Sequence, residues 1–361
     1  MTHKELFVFP PMAEPQPVGG VAFGVIGLAH SHIYSMCDGL IKAGGELRYV
    51  YDPEEKHIAG FLERYPWARA CGSEAAVLEK TDISLIVSAS VPAHRAEVGI
   101  RAMETGKDFF VDKAPMTTLE QVAAVRRTCC ETGRKCFVYY GESVCDPSAL
   151  YARELIRRGV IGKVIHVDGV APHRLSPAER EPWFFQREHT GGILTDLVCH
   201  QIHQFLEFTG NDTARVDMGR AANYAHPRYP GWDDFGDFAC TGENGAAGFF
   251  RVDWFTPDGL GVWGDGRMLI VGTEGYIELR KNVDILNGGV GSFVYAVTRE
   301  GVYRERVDGK VPVTFFHDLL RDCLNRTDTA ISQKRAFRAI ELAIEAQQLA
   351  LNKKVTPDQE V

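Results

Sequence analysis

Short apolar runs alternate with helical segments through the first 140 residues. The runs at 21–26, 47–51, 83–87, 109–111 and 137–140 are short enough to be strands. The run at 83–87, Ile-Ser-Leu-Ile-Val, is almost wholly apolar, as a strand buried on both faces must be. Segment 93–105 has a helical pattern and stops at Gly106, which suits a left-handed cap. Segment 118–127 begins at Thr117 or Thr118 as capping residue and carries Glu120 in its first turn. This alternation predicts βαβ units and a parallel sheet.

Past residue 140 the pattern changes. A helix at 150–158 stops at Gly159, and strand-like runs follow at 164–170, 238–240, 247–254, 267–271, 276–279 and 293–298. Turns rich in Gly, Asp and Asn separate them, with no helical pattern over 235–305, which predicts a largely antiparallel sheet. One helix, 193–208, interrupts the series. Phe316, Leu319, Leu320 and Cys323 share a helical face, as do Phe337, Ile340 and Ile344 after a capping candidate at Ser332. These last helices are expected to return over an earlier domain. The reading is α/β plus α+β: a nucleotide-binding domain over 20–140, and a substrate-binding and oligomerisation domain over 141–361 with an open, largely antiparallel sheet.

A chain of 361 residues is long enough for two cores. Its charge, 40 basic minus 48 acidic or −8, excludes non-specific nucleic-acid binding and argues against an anionic membrane surface. Nine cysteines, none in a Cys-x-x-Cys pair, read as reduced thiols of a cytoplasmic protein. The run Leu6-Phe7-Val8-Phe9 before Pro10-Pro11 is too short for a signal peptide core. The Pro-rich leader, 1–19, is expected to lie extended over the surface.

The first strand leads into Gly27-Leu28-Ala29-His30-Ser31-His32. A dinucleotide-binding turn places glycine at three positions, G-x-G-x-x-G, for tight turning and close approach of the pyrophosphate. Here those positions hold Gly27, Ala29 and His32. Asp52 ends the second strand, where a carboxylate binds ribose hydroxyls and repels a 2′-phosphate, favouring NAD over NADP. A strand-ending Asp-Pro turn would leave the same residues.

Further motifs extend the reading. Segments 102–107 and Val111-Asp112-Lys113-Ala114-Pro115 resemble the A-G-K-h-V-x-x-E-K-P segment of the glucose–fructose oxidoreductase / inositol dehydrogenase (Gfo/Idh/MocA) family. Gly159-Val160-Ile161-Gly162-Lys163-Val164 resembles its G-x-I-G-x-V entry to the second domain. Segment 191–200, with Gly191, Gly192, Asp196 and His200, resembles its G-G-x-x-x-D-x-G-x-H helix, and 272–275 a late turn. The resemblance implies a Rossmann domain with bound NAD(P) and hydride transfer between nicotinamide and a hydroxyl carbon of a sugar or polyol. Leu28, Ala29 and Lys113 would adjoin the cofactor. Lys113 would steady the alkoxide, His200 would take the hydroxyl proton and Asp196 would orient it. Asp196 and His200, four apart, fall on one helix face.

The chain departs from that pattern in places. Asp112 replaces glutamate, Ala114 is inserted before proline, and Val198 takes a glycine position. His203 extends the Asp196–His200 face. That face with His30 or His32 offers metal-ligand types, but the reading favoured is a polar substrate pocket without metal. His173, Arg174, Trp183 and Trp232 are further candidates for a sugar pocket. Three functions follow: an NAD-dependent sugar or polyol dehydrogenase; a redox-neutral lyase or glycosidase that retains NAD; or a dinucleotide- or sugar-sensing protein. The open sheet implies a homodimer or homotetramer.

Overall fold

The structure, a computed structural model, describes residues 12–286 and 289–352. The Leu6–Phe9 run and half of the leader lie outside the described residues. The first domain begins with strand β1 (Ala22–Ile26) and helix α1 (His32–Lys42). There follow β2 (Glu46–Tyr51), α2 (Glu55–Arg64), β3 (Arg69–Ala70), α3 (Glu74–Leu78), β4 (Leu85–Ser88), α4 (Pro92–Glu104), β5 (Asp108–Asp112), α5 (Leu119–Thr132) and β6 (Cys136–Tyr139). All five apolar runs are strands of one parallel sheet in the order β3-β2-β1-β4-β5-β6. Every residue of β1, β4, β5 and β6 is buried, because helices cover both faces. Strand order reverses between β2-β1 and β4, and a cleft opens there at the carboxyl ends.

Local chemistry sets the helix ends. The Thr118 hydroxyl accepts the Gln121 N–H and starts α5, which runs on to Gly133 in a left-handed conformation. Pro92 stands in the first turn of α4, where its missing N–H costs nothing.

The second domain starts with short α6 (Gly141–Val144) and α7 (Pro147–Arg157), the latter capped by Asp146. Strand β7 (Val164–Pro172), short α8 (Arg187–Thr190), a π-helical turn (Leu194–Val198) and α9 (Cys199–Thr209) follow. Next come β8 (Ala214–Ala222), β9 (Phe235–Gly242), β10 (Ala247–Asp253), β11 (Arg267–Gly272) and β12 (Gly275–Arg280). A two-residue ribbon, β13 (Val283–Asp284) and β14 (Gly289–Val290), precedes β15 (Phe293–Thr298) and β16 (Gly301–Arg306). The eight-stranded sheet runs β16-β15-β12-β11-β7-β10-β9-β8, antiparallel except where β7 and β10 pair in parallel.

The closing helices, α10 (Phe315–Asn325) and α11 (Gln333–Asn352), return as expected. Phe315 and Phe316 of α10 meet Phe110 of β5 at ring separations of 5.8 and 6.3 Å, and Phe316 fills the space above Gly39 of α1. The Tyr140 hydroxyl donates to the Ala336 carbonyl at 2.9 Å, and Gln347 accepts the Leu194 N–H at 2.9 Å. Helix α11 thus joins the parallel sheet to the π-turn that carries Asp196. No helix among the described residues is long and apolar enough to cross a membrane.

Candidate active site

A cavity of about 480 Å³ opens at the carboxyl ends of the parallel strands and is closed from above by the second domain. The glycine turn, β5, β6, the π-turn and β7 all contribute to it. Such a volume accommodates a small polar ligand beside a cofactor.

The turn is built for close approach. Gly27 has φ +90°, and a Cβ there would fall on the Ser90 side chain. Helix α1 starts at His32 with no acidic residue in its first turn, and its first amides donate to His30 Nδ1 at 3.3 Å and to the carbonyls of His30 and Ser31 at 3.2 Å. The positive end of the helix dipole there favours an anion, so the turn fits a dinucleotide's phosphates. Asp52, the expected ribose acceptor, also has partners within the protein. It is 4% exposed, and its Oδ2 accepts the Leu28 N–H at 2.6 Å. Its Oδ1 accepts the Glu54 N–H at 2.9 Å and faces His57 Nδ1 at 2.9 Å. The carboxylate ties the turn to the end of β2, and a ribose hydroxyl would have to share it.

Lys113 follows β5 directly. Its Nζ donates to Asp196 Oδ1 at 2.8 Å and to the Asp196 carbonyl at 3.3 Å, with both side chains buried. Burial pulls the ammonium pKa down, but the carboxylates of Asp196 and Asp112 outweigh it and leave it above the ordinary lysine range. Burial opposes ionisation of Asp196, yet Lys113, His30 and Arg95 hold its pKa below the usual value. Lys113 is therefore a charged donor. Arg95, fully buried on α4, fixes the segment that carries it. Its guanidinium donates to the carbonyls of Asp112 at 3.1 Å and Ala114 at 3.0 Å, to that of Lys113, and to Asp112 Oδ2 at 3.1 Å.

The expected Asp196–His200 partnership is replaced. Asp196 lies in the π-turn, where one extra residue per turn breaks the i,i+4 stacking of an α-helix, and its carboxylate turns to Lys113. His200 lines the same cavity, 3% exposed, with Nδ1 unpartnered within the protein. Burial first, then the cations Lys113 and Lys281, pull its pKa to about 3, so it is a neutral imidazole with a free ring nitrogen. Its acidic neighbour is Glu142 of α6, which the sequence reading missed. Glu142 accepts from Gln201 Nε2 at 2.9 Å and from the buried Lys281 ammonium. Burial opposes its ionisation, but Lys281, His200 and His173 hold its pKa far below the usual carboxylate range. No sequence spacing relates Glu142, Lys281 and His200; the fold alone joins them.

Of the remaining candidates, His173 and Trp183 line the cavity. Arg174 does not: it pairs with exposed Asp258 at 3.3 Å. Trp232 is buried among Phe184, Phe185 and Trp254. His203 points away into the core, its Nδ1 at 2.8 Å from Ser143 Oγ and its ring stacked on Tyr140. The reason is geometric: three residues beyond His200, it has rotated past the cavity edge of α9. Arg180, Trp254 and Trp263 also line the cavity and were not singled out.

The NAD-binding Rossmann-fold model of an oxidoreductase family matches residues 21–140, and the GFO/IDH/MocA C-terminal domain model matches residues 149–278. The chain belongs to the Gfo/Idh/MocA oxidoreductase family. Similar members include the scyllo-inositol 2-dehydrogenase (NAD(+)) of Bacillus subtilis (strain 168), 30% identical over 60% of this chain and 62% of that protein. The D-xylose dehydrogenase of Paenarthrobacter nicotinovorans is 24% identical over 58% of this chain and 54% of that protein. The matches thus span between half and two thirds of these relatives. A solved structure from Erwinia carotovora atroseptica SCRI1043 is 50% identical, covers 92% of this chain and 99% of its own, and superposes with a TM-score of 0.90. A levoglucosan dehydrogenase solved with NADH and levoglucosan shares the fold at 16% identity, 92% and 97% coverage and a TM-score of 0.77.

Proposed function

We propose that this chain is an NAD-dependent dehydrogenase acting on a hydroxyl carbon of a small sugar or polyol. The observation that carries the reading is the convergence of charged Lys113 and neutral His200 in one cavity beside the helix N-terminus of the glycine turn. The nicotinamide, when bound, supplies the hydride acceptor. The rest belongs to the chain. The Lys113 ammonium stabilises negative charge on the reacting oxygen. The neutral imidazole of His200 takes the hydroxyl proton, and the Glu142 carboxylate stabilises the imidazolium that results. Trp183, Trp254 and His173 supply flat faces and donors to a polyhydroxylated ring. The Asp52 carboxylate beside the turn disfavours a 2′-phosphate, so NAD is preferred over NADP. The dehydrogenases among the relatives support the same class.

The test is NADH formation across a panel of pentoses, hexoses, anhydrosugars and inositols. Dependence on Lys113 and His200 would support the assignment; turnover unchanged in Lys113→Ala would end it. A redox-neutral reading is kept because a relative from Bacteroides thetaiotaomicron is named a glycosyl hydrolase family 109 protein, 25% identical over 46% of this chain and 36% of that protein. Release of an aglycone without accumulating NADH would select it.

The partner proposed is a second copy of the chain. On the outer face of the sheet Val302, Val297, Tyr276 and Val271 pair in successive register across four strands, with Val302 75% and Tyr276 39% exposed. An apolar row of that kind marks an association surface. Tyr276→Arg should convert the oligomer to a monomer in sedimentation; a wild-type monomer at micromolar concentration would refute it.

A further inference from the structure

The two histidines of the glycine turn have no part in the chemistry above, yet both imidazoles point the same nitrogen at one buried carboxylate. His30 Nδ1 lies 3.1 Å from Asp112 Oδ2, and His32 Nδ1 lies 2.8 Å from Asp112 Oδ1. The three ligand atoms lie within 4.8 Å of one another. Donors on adjacent vertices around a first-row ion, with bonds of about 2.1 Å, sit roughly 3 Å apart.

We propose that His30, His32 and Asp112 form a binding site for a divalent first-row transition ion such as Zn²⁺, with its open positions facing the cavity. Three observations support it. Two imidazoles and one carboxylate are a donor set that these ions favour over Mg²⁺ or Ca²⁺, and it leaves coordination positions free. Asp112 is fully buried while His30 and His32 are 16% and 36% exposed, so the anchor is fixed and the entrance is open. The carboxylate is held from behind by Arg95 at 3.1 Å, the outer-shell support that a ligating carboxylate needs.

The charge balance allows a cation here. The carboxylates of Asp112 and Asp196 face the ammonium of Lys113 and the guanidinium of Arg95, so the pocket is near neutral before an ion enters. The site also explains the sequence. Alanine and histidine stand where a dinucleotide turn usually carries glycine, and aspartate stands before the lysine where glutamate is usual. His30 and His32 of the turn together with aspartate at the end of β5 supply one donor set.

The test uses the intact protein, stripped with a chelator and titrated with Co²⁺, without substrate or cofactor. The site predicts one equivalent of bound Co²⁺ with a visible d–d spectrum, displaced by Zn²⁺. His30→Ala and His32→Gln should each weaken binding by at least about 10-fold. His94→Ala, an exposed histidine on α4, should leave it unchanged. His32 is the more exposed of the two, so His32→Gln remains informative if the His30 variant fails to fold. Absence of a stoichiometric Co²⁺ spectrum, or its persistence in the folded His32→Gln protein, overturns the proposal. Neither result bears on hydride transfer, so failure here and failure of the dehydrogenase reading are told apart.

Discussion

Replacing Lys113 by alanine or methionine changes two things at once, and the structure says how to separate them. Asp196 is 12% exposed, and Lys113 Nζ at 2.8 Å is its cation. Removing one member of a buried pair costs about 3–5 kcal/mol, because the other charge stays desolvated. Arg95 also attracts Asp196, which places Lys113→Met at the lower end, about 3 kcal/mol. Removing both charges, Lys113→Met with Asp196→Leu, eliminates the stranded carboxylate and should recover most of that loss, to within about 1 kcal/mol of wild type. Urea unfolding at pH 7 reads the two values. NADH formation read in parallel should fall at least about 100-fold in both variants, as expected when a charged group at the reacting oxygen is lost. Inactivity in the stable double variant then cannot be blamed on unfolding. If the single and double variants unfold with free energies equal to within about 0.5 kcal/mol, the dependence of Asp196 on Lys113 is refuted.

Three other outcomes follow from the geometry. Burial lowers the His203 pKa to about 4 from an ordinary value of 6.5, so between these pH values the unfolded chain takes up a proton that the native one refuses. Native stability therefore falls as pH drops from 6.5 towards 4, by roughly 3 kcal/mol from this residue. His203→Gln should flatten that slope in urea melts at pH 7 and pH 4.5, and equal slopes would contradict it. Gly27→Ala, forced to φ +90° against Ser90, should lose about 1–3 kcal/mol and most NAD affinity by calorimetry. Glu142→Gln should lower kcat more than it raises KM, because it removes the charge that stabilises the His200 imidazolium; an unchanged kcat at neutral pH would refute that role.

Much of the fold was legible because hydrophobic period follows directly from burial. Both-face burial gave β1, β4, β5 and β6 their continuous apolar runs, and the antiparallel strands from β9 to β15 show their turns. Besides the two-residue ribbon of β13 and β14, the strands missed were β3, β8 and β16. The first has two residues, and the other two are sheet edges carrying Arg215, Arg220, Arg304 and Arg306, where a half-exposed strand needs little apolar sequence. At the site, Lys113 and His200 were legible through ordered motifs. Asp196 was found but given the wrong neighbour, since nothing in 194–198 announces a π-turn. Glu142 and Lys281 lie 139 positions apart, and Arg95 acts on carbonyls, which leave no mark on a sequence.

That last contact bears on how this segment can change over time. Arg95 grips the main chain at residues 112, 113 and 114, and every amino acid carries the carbonyl it grips. The address of the lysine is therefore written mainly in backbone atoms, with one further bond to the Asp112 carboxylate. Aspartate can replace glutamate before the lysine, and alanine can enter after it, while the ammonium keeps its place. The residue to watch across relatives is thus the arginine, 18 positions upstream of the lysine it serves.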